Sequence, residues 1–203
     1  MGAIAVVAAF AGVYVARMLN QPAVPSLESG TSLPQARTLP EFSLVDTQGN
    51  AASPAVLRGH PTLVFFGFTH CPDVCPTTLA LLANVQKQAA QQDPAAPAIK
   101  VALISVDPER DTPQQLGSYI ASFRGDFIGL TGDASEIVKA TRAFGVAAAR
   151  VDLGGGNYTM DHSATVFALD SQARIVAVFT PPLSAAALAR DLARLAPVLN
   201  PRA

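Results

Sequence analysis

The chain has little of what a protein needs to act over a broad charged surface. Only 14% of its 203 residues are charged, and 14 Lys and Arg set against 15 Asp and Glu leave a formal net charge of −1. No basic cluster stands out, which argues against a nucleic acid as partner. A glycine-rich phosphate loop is also missing: Gly154-Gly-Gly156 has neither the lysine nor the strand–helix setting of one. No internal repeat is present. Cysteine is nearly absent, with 2 in the chain, and there are 3 histidines. A closed structural zinc site takes four ligands, and no second Cys/His cluster exists to complete one.

What is present is concentrated in Phe65-Phe-Gly-Phe-Thr-His-Cys71-Pro-Asp-Val-Cys75-Pro-Thr-Thr-Leu79, which holds both cysteines. They fall between an apolar run ending at Phe68 and a helix-like run starting near Pro76. The N-terminal end of a helix carries partial positive charge and free N–H groups, which favour thiolate over thiol. Thiolates exchange with disulfides or hold soft metal ions. Pro72 and Pro76 bracket the pair. A proline pushes the residue before it out of helical geometry. Cys75 is therefore expected as a cap residue, with Pro76 in the first helical position, where its missing N–H costs nothing. Three residues separate the cysteines, against two in the dithiol motif of thioredoxin-like oxidoreductases. A disulfide across this spacing stays open, since the Cα atoms need approach only to about 4.4–6.8 Å. Two structural cysteines are the plainer alternative.

Two sulfurs make a thin metal site, so a third donor matters. His60, in Leu57-Arg-Gly-His-Pro61, reads as a solvated turn residue. His70 adjoins Cys71, and adjacent side chains generally point apart. His162, in Tyr158-Thr-Met-Asp-His-Ser-Ala-Thr-Val-Phe-Ala-Leu-Asp170, directly precedes a period-two strand signal. That strand is expected to pair with Arg174-Ile-Val-Ala-Val-Phe-Thr180 across the turn at 170–173.

The order of elements brings these pieces together. A strand over 62–68 leads through the cysteine loop into a helix over 76–91, with Leu81, Leu82, Val85 and Ala89 on one face. A strand over 99–106 follows. Thr112-Pro-Gln-Gln115 then combines an N-cap threonine, a first-position proline and a glutamine reaching back. A strand over 127–130, a helix from Asp133-Ala-Ser-Glu136 to Phe144, a segment over 146–151, the terminal hairpin and a last helix over 184–195 complete the series. Such alternation, closed by a hairpin and a helix, predicts an α/β fold of thioredoxin-like plan, a mixed sheet with helices on both faces. In that plan the loop before the closing hairpin faces the cysteine loop, so His162 is expected near Cys71 and Cys75.

At this point the sequence resembles the Sco/SenC family, membrane-tethered copper proteins of cytochrome c oxidase assembly. The resemblance is carried by the cysteine stretch, by Ser105-Val-Asp-Pro-Glu-Arg-Asp-Thr-Pro113, by Phe127-Ile-Gly-Leu-Thr-Gly132 and by Asp161-His-Ser163. It extends from about Pro40 to the last helix. Val146-Ala-Ala-Ala-Arg150 departs from it, being plainer than the aromatic, Lys-containing segment of many relatives. The resemblance implies that Cys71, Cys75 and His162 are copper ligands. The implied function is a metallochaperone that carries copper to the binuclear copper site of an oxidase subunit and can reduce that site's cysteines. Implied partners are that subunit, other copper chaperones and thiol reductants. Soft thiolates select Cu(I), and an imidazole with two sulfurs suits Cu(I) and Cu(II). The rival function is a membrane-tethered thiol–disulfide oxidoreductase or thiol peroxidase whose histidine is incidental. Asp161 is read as either an orienter of the imidazole or a solvated turn residue. Asp73 is read as a cap of the following helix or a group that tunes the sulfurs. The Asp107-Pro-Glu-Arg-Asp111 turn is read as solvated or partner-facing.

Residues 3–16 are uninterrupted and apolar, and Arg17-Met-Leu19 follows. A spanning helix takes about 20 apolar residues, with about 17 as the lower limit, so residues 1–19 are expected as a membrane anchor or signal-like segment. Residues 20–40 read as a tether rich in Pro, Ser and Gln, and 41–203 as the copper-binding domain. The resemblance places that domain on the extracytoplasmic side: the bacterial periplasmic face, or the mitochondrial intermembrane space.

Overall fold

In a computed structural model, which describes residues 24–201, the chain starts its sheet earlier than the sequence suggests. Strand β1, Thr31–Thr38, is followed by the short strands β2, Leu44–Asp46, and β3, Ala51–Ala52, and by a 3-10 turn at Pro54–Leu57. Then come β4, Thr62–Gly67, helix α1, Val74–Gln92, β5, Lys100–Ser105, helix α2, Pro113–Ala121, β6, Phe127–Thr131, and helix α3, Ala134–Phe144. A hairpin of β7, Ala148–Gly154, and β8, Asn157–His162, precedes β9, Val166–Leu169, β10, Arg174–Phe179, and helix α4, Ala185–Leu199.

Among the described residues, eight strands form one sheet in the order β1-β10-β9-β4-β5-β6-β2-β3. All six residues of β4 are buried, as a strand covered on both faces requires. It runs parallel to β5 and antiparallel to β9. Successive side chains of a strand point to opposite faces, and β4 shows what each face carries. Phe66 meets Phe144 of α3 at 5.2 Å between ring centroids, and Phe144 meets Phe167 of β9 at the same separation. Gly67, on the other face with Phe65, lies against Cys75 of α1. Helix α1 packs in turn against α4. Helices therefore cover both faces, in the thioredoxin-like plan.

Three features depart from the expectation. The tether expected over 20–40 contains β1, which pairs antiparallel with β10. It is a largely exposed edge strand with a register shift between Ser32 and Arg37, and this tolerates Pro34 and hides the period-two signal. Helix α1 begins at Val74, so Cys75 lies within its first turn and is not the cap. The expected 146–151 segment and His162 belong to a separate two-stranded sheet, β7–β8. His162 thus ends a strand of its own instead of merely preceding β9. The hairpin turns through Gly154, Gly155 and Gly156 at φ +84°, +61° and +82°, a left-handed run that glycine adopts without strain. The anchor expected over residues 1–19 lies outside the described residues. Among those described, no helix is long and apolar enough to cross a membrane.

Candidate metal centre

The centre forms where β4 gives way to α1. Cys75 is fully buried in the first helical turn, while Cys71, in the preceding loop, is half-buried. Both are free thiols. The Cys75 N–H has no carbonyl partner in the first turn of a helix, and it donates to the Cys71 Sγ at 3.4 Å. Asp73 takes the N-cap position without a side-chain bond to the helix backbone, and its carboxylate accepts from the Thr77 hydroxyl at 3.3 Å.

His162 arrives from the other end of the chain. It closes β8 opposite Ala148, and the next N–H, of Ser163, donates to the Ala147 carbonyl at 3.1 Å. The rings of Phe65 and Phe68 stand edge-on to the imidazole, each at 5.9 Å between centroids. Nδ1 lies 3.3 Å from the Ser163 carbonyl and Nε2 lies 3.5 Å from the Cys75 Sγ. With Nδ1–H donating to the carbonyl, Nε2 keeps its lone pair toward the sulfur, an assignment that follows from the hydrogen-bond network. The orienting acceptor is thus Ser163 and not Asp161, whose carboxylate is exposed.

Burial sets the charge state. It lowers the His162 pKa below the usual imidazole value, opposed by the Ser163 carbonyl and the Asp161 charge, so the ring is neutral at pH 7. Burial also pushes the Cys75 thiol far up, with the Phe68 backbone opposing and Cys71 adding to the effect. Without a metal, the Cys75 S–H can donate to Nε2. A metal that takes both must displace that proton. The fold thus brings His162 to Cys75 and Cys71 to the Cys75 N–H, but the three expected donor atoms do not all lie within 4.8 Å of one another.

The other histidines stand apart. His60, expected as solvated, is half-buried with an unpartnered Nδ1. His70 is exposed and turns its Nδ1 to the Thr69 hydroxyl at 3.0 Å. It approaches Asp107 and Asp111 closely enough for one donor atom of each to lie within 4.8 Å of the others. Those carboxylates are already occupied. Asp111 accepts from the Thr69 N–H and from the Thr69 and Ser105 hydroxyls. Asp107 accepts from Arg110 and from the Tyr158 hydroxyl. The 107–111 turn, expected as solvated or partner-facing, instead buries both acids at 2% and 0% exposure. A short acidic run gives no sign of such burial in sequence, because its partners Thr69 and Tyr158 are 42 and 51 residues away.

The family model described as SCO1/SenC matches residues 30–197. The chain belongs to the SCO1/SenC family. It is 33% identical over 167 residues to a putative copper-binding protein of Stutzerimonas stutzeri, covering 80% of this chain and 79% of the relative. Among solved structures, Bradyrhizobium japonicum ScoI with copper bound is 40% identical, with a TM-score of 0.68, covering 77% of this Sco chain and 98% of that one. BsSco, described as a member of the Sco family of cytochrome c oxidase assembly proteins, shares the fold at 23% identity, with a TM-score of 0.61 and coverage of 80% and 95%.

Proposed function

We propose that this Sco chain is a copper metallochaperone that holds its cargo through Cys71, Cys75 and His162 and delivers it to the binuclear copper site of cytochrome c oxidase. The observation that carries the reading is the 3.5 Å approach of the His162 Nε2 to the Cys75 sulfur, across 87 residues of sequence. The two thiolates offer Cu(I) a workable two-coordinate site, and the imidazole adds the borderline donor that suits Cu(II). Family membership and the copper-bound ScoI support copper as the metal. The half-buried Cys71 is the sulfur from which a receiving thiolate can take over the ion. Partners in this reading are the copper-receiving oxidase subunit, other copper chaperones and thiol reductants. Residues 1–19 tether the domain to the membrane, with the copper site on the extracytoplasmic side.

The reduced full-length protein should bind one copper ion per chain, and Cys71→Ser or Cys75→Ser should remove most of it. Equal copper content in the double cysteine variant would sink the chaperone reading.

A thiol–disulfide oxidoreductase is the second reading, favoured by two free cysteines, one in the loop before α1 and one in its first turn. Against it, a thiol pushed up by burial attacks disulfides poorly. This reading also requires that His162→Ala keep full thiol–disulfide activity and show no copper phenotype.

A further inference from the structure

The histidine half of the centre is not part of the main sheet. Among the described residues, strands β7 and β8 pair only with each other, and every residue of β7 is exposed. A lone two-stranded hairpin is marginal in water, so something beyond backbone pairing must hold His162 over Cys75. The 107–111 turn is bonded to both halves. Toward the cysteines, its Asp111 carboxylate accepts from the Thr69 N–H at 3.0 Å and the Thr69 hydroxyl at 2.6 Å, two residues before Cys71. Toward the hairpin, Asp107 accepts from the Tyr158 hydroxyl at 2.8 Å and from the Arg110 Nε at 2.5 Å. Arg110 Nη1 also donates to the Tyr158 carbonyl at 3.1 Å.

The ring of Tyr158 is gripped as well. The Arg110 guanidinium carbon lies 3.7 Å from its centroid and that of Arg150 lies 3.6 Å from it. Two guanidinium groups so close to one ring cannot share a face, so the phenol is sandwiched between them. Each cation is balanced on the same turn, Arg110 by Asp107 and Arg150 by Glu109 at 3.0 Å. Tyr158 and His162 are four residues apart on β8, so their side chains leave the same face of the strand. Arg110 further lies over Phe68 at 5.8 Å, and Phe68 is one of the two rings flanking the imidazole.

We propose that Arg110 and Tyr158 are positioning residues for the copper site: with Asp107 they clasp the β7–β8 hairpin to the turn that also holds the cysteine loop, and so set the distance from His162 to Cys75. The inference rests on the copper reading above for its functional meaning, but the clasp is a property of the metal-free protein too. Arg110 and Tyr158 make no hydrogen bond to the imidazole itself, so they act on the ligand by orienting it. Loss of the clasp therefore acts on Cu(II), which needs the imidazole, far more than on Cu(I), which the sulfurs hold.

The test uses the full-length protein with Arg110→Gln, Arg110→Lys and Tyr158→Phe, alongside His162→Ala. Cu(II) affinity by competition and the visible spectrum are measured for each. In the metal-free proteins, NMR records contacts between the His162 ring and Phe65 and Phe68. Arg110→Gln is expected to lower Cu(II) affinity roughly 10- to 100-fold, to shift the visible band and to lose the His162–Phe68 contacts. Arg110→Lys, which restores charge without the planar fork, is expected to recover only part of each. Tyr158→Phe, which keeps the stacked ring and removes only the bond to Asp107, should show a smaller loss of the same kind. It carries the comparison if Arg110→Gln does not fold. Should His162→Ala abolish the Cu(II) signature while both Arg110→Gln and Tyr158→Phe keep it, the clasp is overturned. If His162→Ala leaves Cu(II) unchanged, the copper reading fails instead, and retained His162–Phe68 contacts in the Arg110 and Tyr158 variants would overturn the clasp separately.

Discussion

Replacing Gly67 by alanine sets one methyl group between the central strand and the metal centre. The new Cβ would lie 3.0 Å from the Cys75 Sγ, 3.0 Å from the Phe65 Cε1 and 3.2 Å from the Leu103 Cδ1. Ordinary carbon contacts are about 3.5–4.0 Å, so each neighbour must yield by several tenths of an ångström. Phe65, Leu103 and Cys75 are all fully buried. Overpacking of this kind costs about 1–3 kcal/mol. For a domain of this size, each kcal/mol is worth about 2–4 °C in Tm. The neighbour best able to give way is the Cys75 sulfur, the tip of a short side chain in the first turn of α1, and rotating it breaks its line to the His162 Nε2. Differential scanning calorimetry of Gly67→Ala should thus show a Tm several degrees lower, and Cu(II) titration a weaker and spectrally altered site. Wild-type Tm together with a wild-type Cu(II) spectrum would refute the packing argument.

His162→Ala should weaken Cu(II) binding severely and change its visible absorption while retaining Cu(I) more weakly; loss of the Cu(II) spectrum in His70→Ala instead would show the wrong histidine was assigned. Thr112 caps α2, its side chain accepting from the Gln115 N–H while Gln115 reaches back. Thr112→Ala should cost about 1 kcal/mol in urea unfolding, and an unchanged midpoint would discount the capping box. Burial alone would raise the Asp191 pKa, but the N–H groups of Glu28 and Ser29, the Ser29 hydroxyl and Arg194 outweigh it and hold the carboxyl below its ordinary value. The unfolded chain therefore takes up this proton first. The stabilisation is complete above the ordinary carboxylate pKa of about 3.9 and fades as pH falls through the lower folded value. Acid unfolding between pH 5 and 2, both figures being approximate bounds of that window, should be shallower in Asp191→Asn, which is also expected to be less stable at pH 7 by about 1–3 kcal/mol for the acceptors lost. An identical acid limb in both proteins would contradict the assignment.

Strand, helix and cap signals were legible wherever local chemistry is strong. The run over 62–68 is buried on both faces and reads as continuous apolar sequence, and it became β4. Thr112-Pro-Gln-Gln115 became the capping box of α2, because all its bonds are made within four residues. The cysteine loop, the β9–β10 hairpin and the thioredoxin-like order followed from the same local signals. So did the expectation that His162 would face Cys75, because the plan of such a sheet brings those loops to one edge. What the sequence did not show depends on partners far along the chain. Strand β1 looks like a tether because an exposed edge strand has no apolar alternation, and only pairing with β10 makes it a strand. Hairpin β7–β8 has no buried face to pattern, so its strands are held by each other and by the 107–111 turn. Asp107 and Asp111 read as solvated charges until tertiary folding brings Tyr158 and Thr69 to them. Local residue types thus determined which donors this protein possesses. Only the folded chain decided how they are held, since the distance from His162 to Cys75 is set by contacts that no short window of sequence contains.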